Sequence, residues 1–441
     1  MRKIFKILNA IIFATLLLIM SCDTIDTKQK DALDTIAESY VKLVLNVSLY
    51  DEDYIDTYYG PKDWIPSQID STKGEFPYSE LRTQADEIID ELTKIEFSKF
   101  DELWKLRYIY LDEQVKSVAA RIELLSGRKM TFDDESKALY NIVAPVYDVT
   151  LAKNTLNEIE KELPGELPLH ERYSNFINNV IVPLDKIDTV FTTAIAECRK
   201  RTQNHIQLAD KDSLIIEYVT DKPWRAANLY KGNGYSVIQL NTAIPLTIHA
   251  IISLASHEGY PGHHIQTSSL DYKLFKKKNW VEFSLNPMFT PASLISEGIA
   301  EYAIKMLFSF DELVKYEKLV LFPLAGLDTS IVQKYNRLRD LRDNLKYAQI
   351  EIARQFADGK LDDEEAIDKL IKFTLVSPSQ AASFLEFVKH YKSYILNYTE
   401  GFRTVQKYFE NSMIANYSAK KRWDLFYELL STPRTATSLK N

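Results

Sequence analysis

Three of the chain's seven histidines fall within eight residues, in Ser256-His257-Glu258-Gly259-Tyr260-Pro261-Gly262-His263-His264-Ile265-Gln266. Imidazoles are common ligands of Zn²⁺, and a carboxylate beside them can take a proton from water. In the pattern H-E-x-x-H, two histidines stand one helical turn apart and reach one zinc ion, while the intervening Glu polarises water. Here the position four after His257 is Pro261, so that pattern is not met. A straight helix turns about 100° and rises about 1.5 Å per residue. It would put His263 about 240° round from His257, and His264 on the same face but about 10 Å further along. Zn–N bonds of about 2.0–2.1 Å leave neither able to share an ion with His257.

A metal site on this segment therefore needs the helix to break between Glu258 and His263. Pro261 removes an N–H and kinks the chain, and Gly262 permits unusual dihedrals. A bulge inside a helix commonly marks a functional site. The remaining ligand must come from another element. In Ser296-Glu297-Gly298-Ile299-Ala300-Glu301-Tyr302, two carboxylates sit four apart on one face of an otherwise apolar helix. Carboxylates on a buried face need a partner, and a metal ion is one. Gly298 is expected to let this helix pack close to the metal helix.

The surrounding elements read as follows. Ala32, Ile36, Tyr40, Leu43 and Val47 recur at helical spacing, and helical periodicity returns in residues 81–92, 103–125, 136–154 and from about 172 to 205. Residues 214–219 and 236–241 read as short strands, with a loop over 224–233 between them. Pro245 is expected to open the helix that leads to His257. From Ile295 the pattern is helical almost to Trp423. The expected architecture is mostly α, a large helical body with a small β-sheet beside the two site helices. The strand over 237–241 leads into the metal helix. It is expected to pair with an extended peptide by strand addition, with Tyr235, Val237, Gln239 and Asn241 as substrate contacts.

The composition, 46% hydrophobic and 26% charged over 441 residues, is that of a globular chain. Residues 1–21 carry Arg2, Lys3 and Lys6 and no acid, so their removal would take the net charge from −8 to −11. Such an acidic body argues against nucleic acid as a main partner. The basic start, the apolar run over 8–20 and Ile19-Met20-Ser21-Cys22 resemble a bacterial lipoprotein signal. Cys22 would then be lipidated, anchoring the chain to the bacterial cell envelope without spanning the membrane. The expected organisation is a signal peptide over 1–21, a lipidated tether over 22–30, a helical region over 31–212 and a metallohydrolase region over 213–441. With Cys22 lipidated, Cys198 has no disulfide partner and reads as a buried small hydrophobe.

H-E-G-Y-P-G-H-H-x-Q followed by S-E-G resembles the bacterial domain-of-unknown-function family 885, whose members are similar to helical gluzincin peptidases. The likeness extends to Tyr58-Tyr59-Gly60-Pro61 and to Gly234-Tyr235 with Val237-Ile238-Gln239-Leu240-Asn241-Thr242. It implies one Zn²⁺ held by His257, His263 and Glu297, with Glu258 as the general base. The resemblance favours His263 over His264 as ligand. His264 and Glu301 stay as alternative ligands or as supports of the ligands. A peptide or small amide substrate is implied, in a deep cleft suited to short peptides. A non-peptide amidase or esterase, or a non-catalytic binding lipoprotein, are the rival readings. Two departures stand out: Asp343-Asn344-Leu345-Lys346 replaces D-T-G-L-H, and the segment from Pro378 to Phe384 ends in Phe where P-x-Q-A-L-x-Y ends in Tyr.

Overall fold

The computed structural model describes residues 27–67, 76–222, 224–412 and 418–439. The signal peptide and Cys22 lie outside the described residues. Among those described, no helix is long and apolar enough to cross a membrane. The protein is mostly α-helical, with two small sheets. The periodic apolar positions of the first helix, Leu33, Ile36, Ala37, Tyr40, Val41 and Val44, are all buried. They join one large core that runs from Leu33 to Leu439 and crosses the 212/213 position.

The long helix Glu102–Leu125 is capped by the Asp101 side chain, which accepts from the Trp104 N–H. It carries Arg107, fully buried between the rings of Trp104 and Trp280. That guanidinium is satisfied by Glu282 at 2.6 and 3.1 Å and by Asp34. Removing one partner of such a buried pair costs far more than the pair contributes, so it fixes how this helix meets the segment before residue 285.

Among the described residues there are five strands: β1 (Ile55–Tyr58), β2 (Ser213–Val219), β3 (Ala226–Tyr230), β4 (Tyr235–Asn241) and β5 (Leu285–Pro287). β1 pairs antiparallel with β5, with a register shift between Ile55 and Thr57. The other sheet has the order β2-β4-β3, with β2 parallel and β3 antiparallel to β4. Two of these strands were expected, and β3 falls in the segment read as a loop. Its Ala-Ala-Asn-Leu-Tyr sequence has little strand preference of its own, and the pairing with β4 imposes the conformation. The helix toward His257 begins at Ile248, not Pro245, with Thr247 as cap accepting from the Ala250 N–H.

Candidate metal centre

The upstream helix Ile248–Leu254 widens into one π-helical turn, Ala255–Gly259. The Tyr260 N–H reaches back five residues to the Ala255 carbonyl, at 3.2 Å. The chain then breaks at Tyr260-Pro261-Gly262 and restarts as the helix His263–Leu270. The break folds tightly over its own start: a Cβ on Gly262 would lie 1.9 Å from the His257 carbonyl oxygen. Only glycine fits there. The result is the departure from straight-helix geometry that the histidine spacing demands.

His257 and His263 now face each other, with ring centroids 4.7 Å apart and planes at 82°. Their Nε2 atoms are 3.1 Å apart. Glu297, on the helix Pro291–Leu307, places Oε2 3.3 Å from His257 Nε2 and Oε1 3.7 Å from His263 Nε2. One atom from each of the three lies within 4.8 Å of the others. Three tetrahedral zinc ligands at about 2.0–2.1 Å would be separated from one another by about 3.3–3.4 Å. The observed separations bracket that value. Glu297 Oε2 is buried without a hydrogen-bond partner. A buried carboxylate oxygen left unpaired is costly, and a cation in the cluster would satisfy it. The donor set thus fits a zinc-like divalent ion.

The second nitrogen of each imidazole is also engaged. Glu301 Oε1 lies 3.6 Å from His257 Nδ1, and Ser296 Oγ lies 3.3 Å from His263 Nδ1. Ser296 in turn donates to Gln266 Oε1 at 2.7 Å. Such outer partners orient ligand imidazoles. The Tyr394 hydroxyl donates to Glu297 Oε1 at 3.2 Å. In the metal-free protein, burial disfavours charge on His257. The 3.3 Å approach of Glu297 and the nearby carboxylates of Glu258 and Glu301 outweigh it and hold its pKa at about 10. Burial also opposes charge on Glu297, but the two histidines hold its carboxyl far below the usual range. Glu258 goes the other way: burial raises its carboxyl, against the pull of His257 and His263.

His264 is not brought to the cluster. It is fully buried, with Nδ1 2.8 Å from Ser236 Oγ and Nε2 2.9 Å from Asp212 Oδ1, so both ring nitrogens are spoken for. Asp212 also accepts from the Tyr260 hydroxyl at 2.9 Å and from Arg199 at 2.9 and 3.1 Å. Burial works against the Asp212 charge, but these donors hold its carboxyl below its ordinary range. His264 therefore ties the broken helix to the sheet rather than offering a ligand.

The expected substrate contacts also move. Along β4, Ser236, Ile238 and Leu240 are buried, and Ser236 and Ile238 meet the metal segment at His264 and Gly259. Tyr235, Val237 and Gln239 alternate with them and so occupy the opposite face. Gln239 donates to Glu217 at 2.7 Å, and Asn241 is a loop clasp that donates to the Lys222 and Trp224 carbonyls. β4 is the central strand, with both edges taken, so it cannot accept a peptide by strand addition. The edge that meets the metal segment belongs to β3, whose Asn228 side chain donates to the Glu258 carbonyl at 2.7 Å. Gly298 does lie at a close helix contact, but against Gly401 rather than the metal helix. Lys346 is an exposed residue 3.4 Å from Asp343, and Phe384 packs in an apolar cluster.

Residues not anticipated from sequence are Asp56, Asp212, Asn228, Ser236 and the tyrosines 391, 394 and 398. The tyrosines had a readable signal in their spacing of three and four. Asp56 keeps an exposed side chain. Yet its carboxyl is pushed up to about 7, first by burial and then by Glu297, against His263, with Glu258 and Asp53 adding. Tyr398 is 36% exposed, and its phenol is likewise pushed well up by burial and by Glu297, Glu258, Glu301 and Asp56. Both side chains are solvent-accessible yet surrounded by protein, and both feel the charges of Glu297 and Glu258.

No family model matches the chain, and no curated protein matches it. Solved structures do. A proposed lipoprotein from Colwellia psychrerythraea shares 13% identity at a TM-score of 0.49, over 86% of this chain and 70% of that one. A proposed lipoprotein of unknown function from Shewanella oneidensis shares 13% at 0.47, over 82% and 72%. The M32 carboxypeptidase from Deinococcus radiodurans R1 shares 13% at 0.38, over 94% and 93%. At these scores the likeness decides neither family nor activity.

Proposed function

We propose that this protein is a metal-dependent hydrolase, a zinc peptidase of the kind its motifs resemble in domain-of-unknown-function family 885, held at the cell envelope through Cys22. One observation carries the reading: two imidazole Nε2 atoms and one carboxylate converge at tetrahedral-ligand spacing, with the buried Glu258 adjacent. His257, His263 and Glu297 would hold the ion. A divalent metal there supplies a Lewis acid that polarises a carbonyl and makes water more acidic.

The chain's own residues supply the rest. Burial raises the Glu258 carboxyl, so its carboxylate is a better base than a solvated one. It takes the proton as water attacks the amide carbon and gives it to the leaving nitrogen. Asn228 holds the Glu258 backbone against β3. Substrate can align on that same strand. The Asn241 N–H to Arg225 carbonyl bond and the Lys231 N–H to Tyr235 carbonyl bond set the ladder phase. In an antiparallel pair, the alternate residues Ala226 and Asn228 then turn their N–H and C=O away from β4. These groups can pair with an extended peptide.

The test is a Glu258→Gln variant of the soluble form that begins after Cys22. Hydrolysis of a peptide pool should fall by about 10²-fold or more, with zinc content by elemental analysis unchanged. His257→Ala and His263→Ala should each lose the metal. Wild-type rates in Glu258→Gln, or a protein that takes up no divalent ion, would end the proposal.

A further inference from the structure

Asp56 stands at a place the strands mark out. On β1, Ile55 is opposite Pro287 and Thr57 is opposite Asn286, so Asp56 is the extra residue of a bulge. Bulges beside functional sites re-aim a side chain. Here the side chain is exposed. Among the described residues, its hydrogen bond comes from the Asn286 amide and is long, 3.4 Å. No lysine or arginine pairs with it among those residues. The neighbouring Asp53, in contrast, has His390 at 2.6 Å.

A row of phenols leads from the segment just before β1, where His390 pairs with Asp53 and its ring meets Tyr391 at 4.4 Å between centroids, to the metal cluster. Tyr391 and Tyr394 have ring centroids 6.0 Å apart, and Tyr394 and Tyr398 are 5.9 Å apart. Tyr391 feels the charges of Asp53 and Asp56, while Tyr398 feels those of Glu297, Glu258 and Asp56. Tyr394 touches Glu297 directly. An unpaired carboxylate near aromatic rings is a chemistry that receives a cationic nitrogen. The cluster of His257, His263 and Glu297 accounts for Glu297, Glu258 and Glu301, and leaves Asp56 without a task.

We propose that Asp56 is the substrate-selecting anion of the site, taking a cationic nitrogen of a peptide whose nearby amide lies over His257, His263 and Glu297. This rests on the metallopeptidase reading. The cationic nitrogen can be a free α-amine or a Lys or Arg side chain, and the test separates them.

The experiment uses zinc-loaded Glu258→Gln protein, in which bound peptide is not consumed. Three randomised tetrapeptide pools are titrated calorimetrically: free amine without Lys or Arg, N-acetylated without Lys or Arg, and N-acetylated with Lys and Arg. At least one cationic pool should bind about tenfold tighter than the neutral one, as a charge-assisted contact implies. The added substitution Asp56→Asn, nearly isosteric, should reduce that preference to about twofold or less, with zinc content and thermal unfolding unchanged. The pool that carries the preference names the source of the nitrogen. Equal or absent binding of all pools would overturn the assignment, as would a preference that survives Asp56→Asn. Two zinc ions per chain falling to one in Asp56→Asn would also overturn it, by making Asp56 a ligand. Failure of the peptidase reading shows separately, as uncleaved pools with Glu258 intact.

Discussion

Gly298 follows the proposed ligand Glu297, and replacing it with alanine should loosen the proposed metal site without touching any of its side chains. A Cβ at position 298 would lie 2.3 Å from both the carbonyl carbon and oxygen of Gly401 and 2.9 Å from its Cα. Ordinary contact begins at 3.4 Å, so the two segments must part by about 1 Å. The obstacle is backbone, which cannot swing aside as a side chain would. Gly401 offers no slack in return, since its own Cβ would lie 2.2 Å from the Leu294 carbonyl oxygen. Overpacking of this kind costs about 1–3 kcal/mol of stability. The larger effect is on function, because a metal site tolerates only about 0.2 Å in its ligand distances. A displacement near 1 Å costs about 10²-fold in activity. Gly298→Ala should therefore remain folded, with a denaturant midpoint modestly lowered, while zinc affinity and peptide turnover fall by about two orders of magnitude. Zinc competition against a chelator measures the first and steady-state rates the second. Wild-type zinc affinity in a folded Gly298→Ala protein would refute the view that this helix contact sets the position of Glu297.

Two other outcomes follow from the charges. In the metal-free protein His257 is protonated up to about pH 10, and zinc needs its neutral imidazole. Zinc uptake at pH 7.5 should therefore release about one proton from His257, and affinity should fall about tenfold per unit as pH drops. Calorimetry in two buffers of different ionisation enthalpy reads the proton directly, and zero release would show a neutral His257. Away from the site, Glu282→Ala should leave the fully buried Arg107 with only Asp34. That should lower unfolding free energy by about 3 kcal/mol in chemical denaturation, while zinc content stays at wild type. A loss within error of zero would mean that water reaches the guanidinium.

The metal cluster is legible in the sequence because a regular helix fails there. Histidines six positions apart, His257 and His263, cannot serve one ion on a 3.6-residue turn, and Pro261-Gly262 stands where the turn has to be broken. The contradiction between spacing and periodicity thus locates both the site and its distortion. The strand positions resist the same reasoning. Alternation in β4 shows that Ser236, Ile238 and Leu240 share one face and Tyr235, Val237 and Gln239 the other. Period two alone does not say which face meets the helices. That is decided by Ser236 finding His264 and by Ile238 packing at Gly259, contacts between segments more than twenty residues apart.

β3 and β1 were hidden for a related reason. A strand of Ala226-Ala227-Asn228-Leu229-Tyr230 exists only because β4 offers it a ladder, and β1 finds its partner across more than two hundred residues. Both nonetheless carry groups that face the chemistry. Asn228 fixes the Glu258 backbone, and the bulge on β1 carries the exposed Asp56. The histidines and the proposed catalytic carboxylate come from helices whose periodicity announces them. The residues proposed to choose and align a substrate come from strands whose existence depends on tertiary pairing. This division explains why reaction type can be argued from sequence while substrate charge needs the fold.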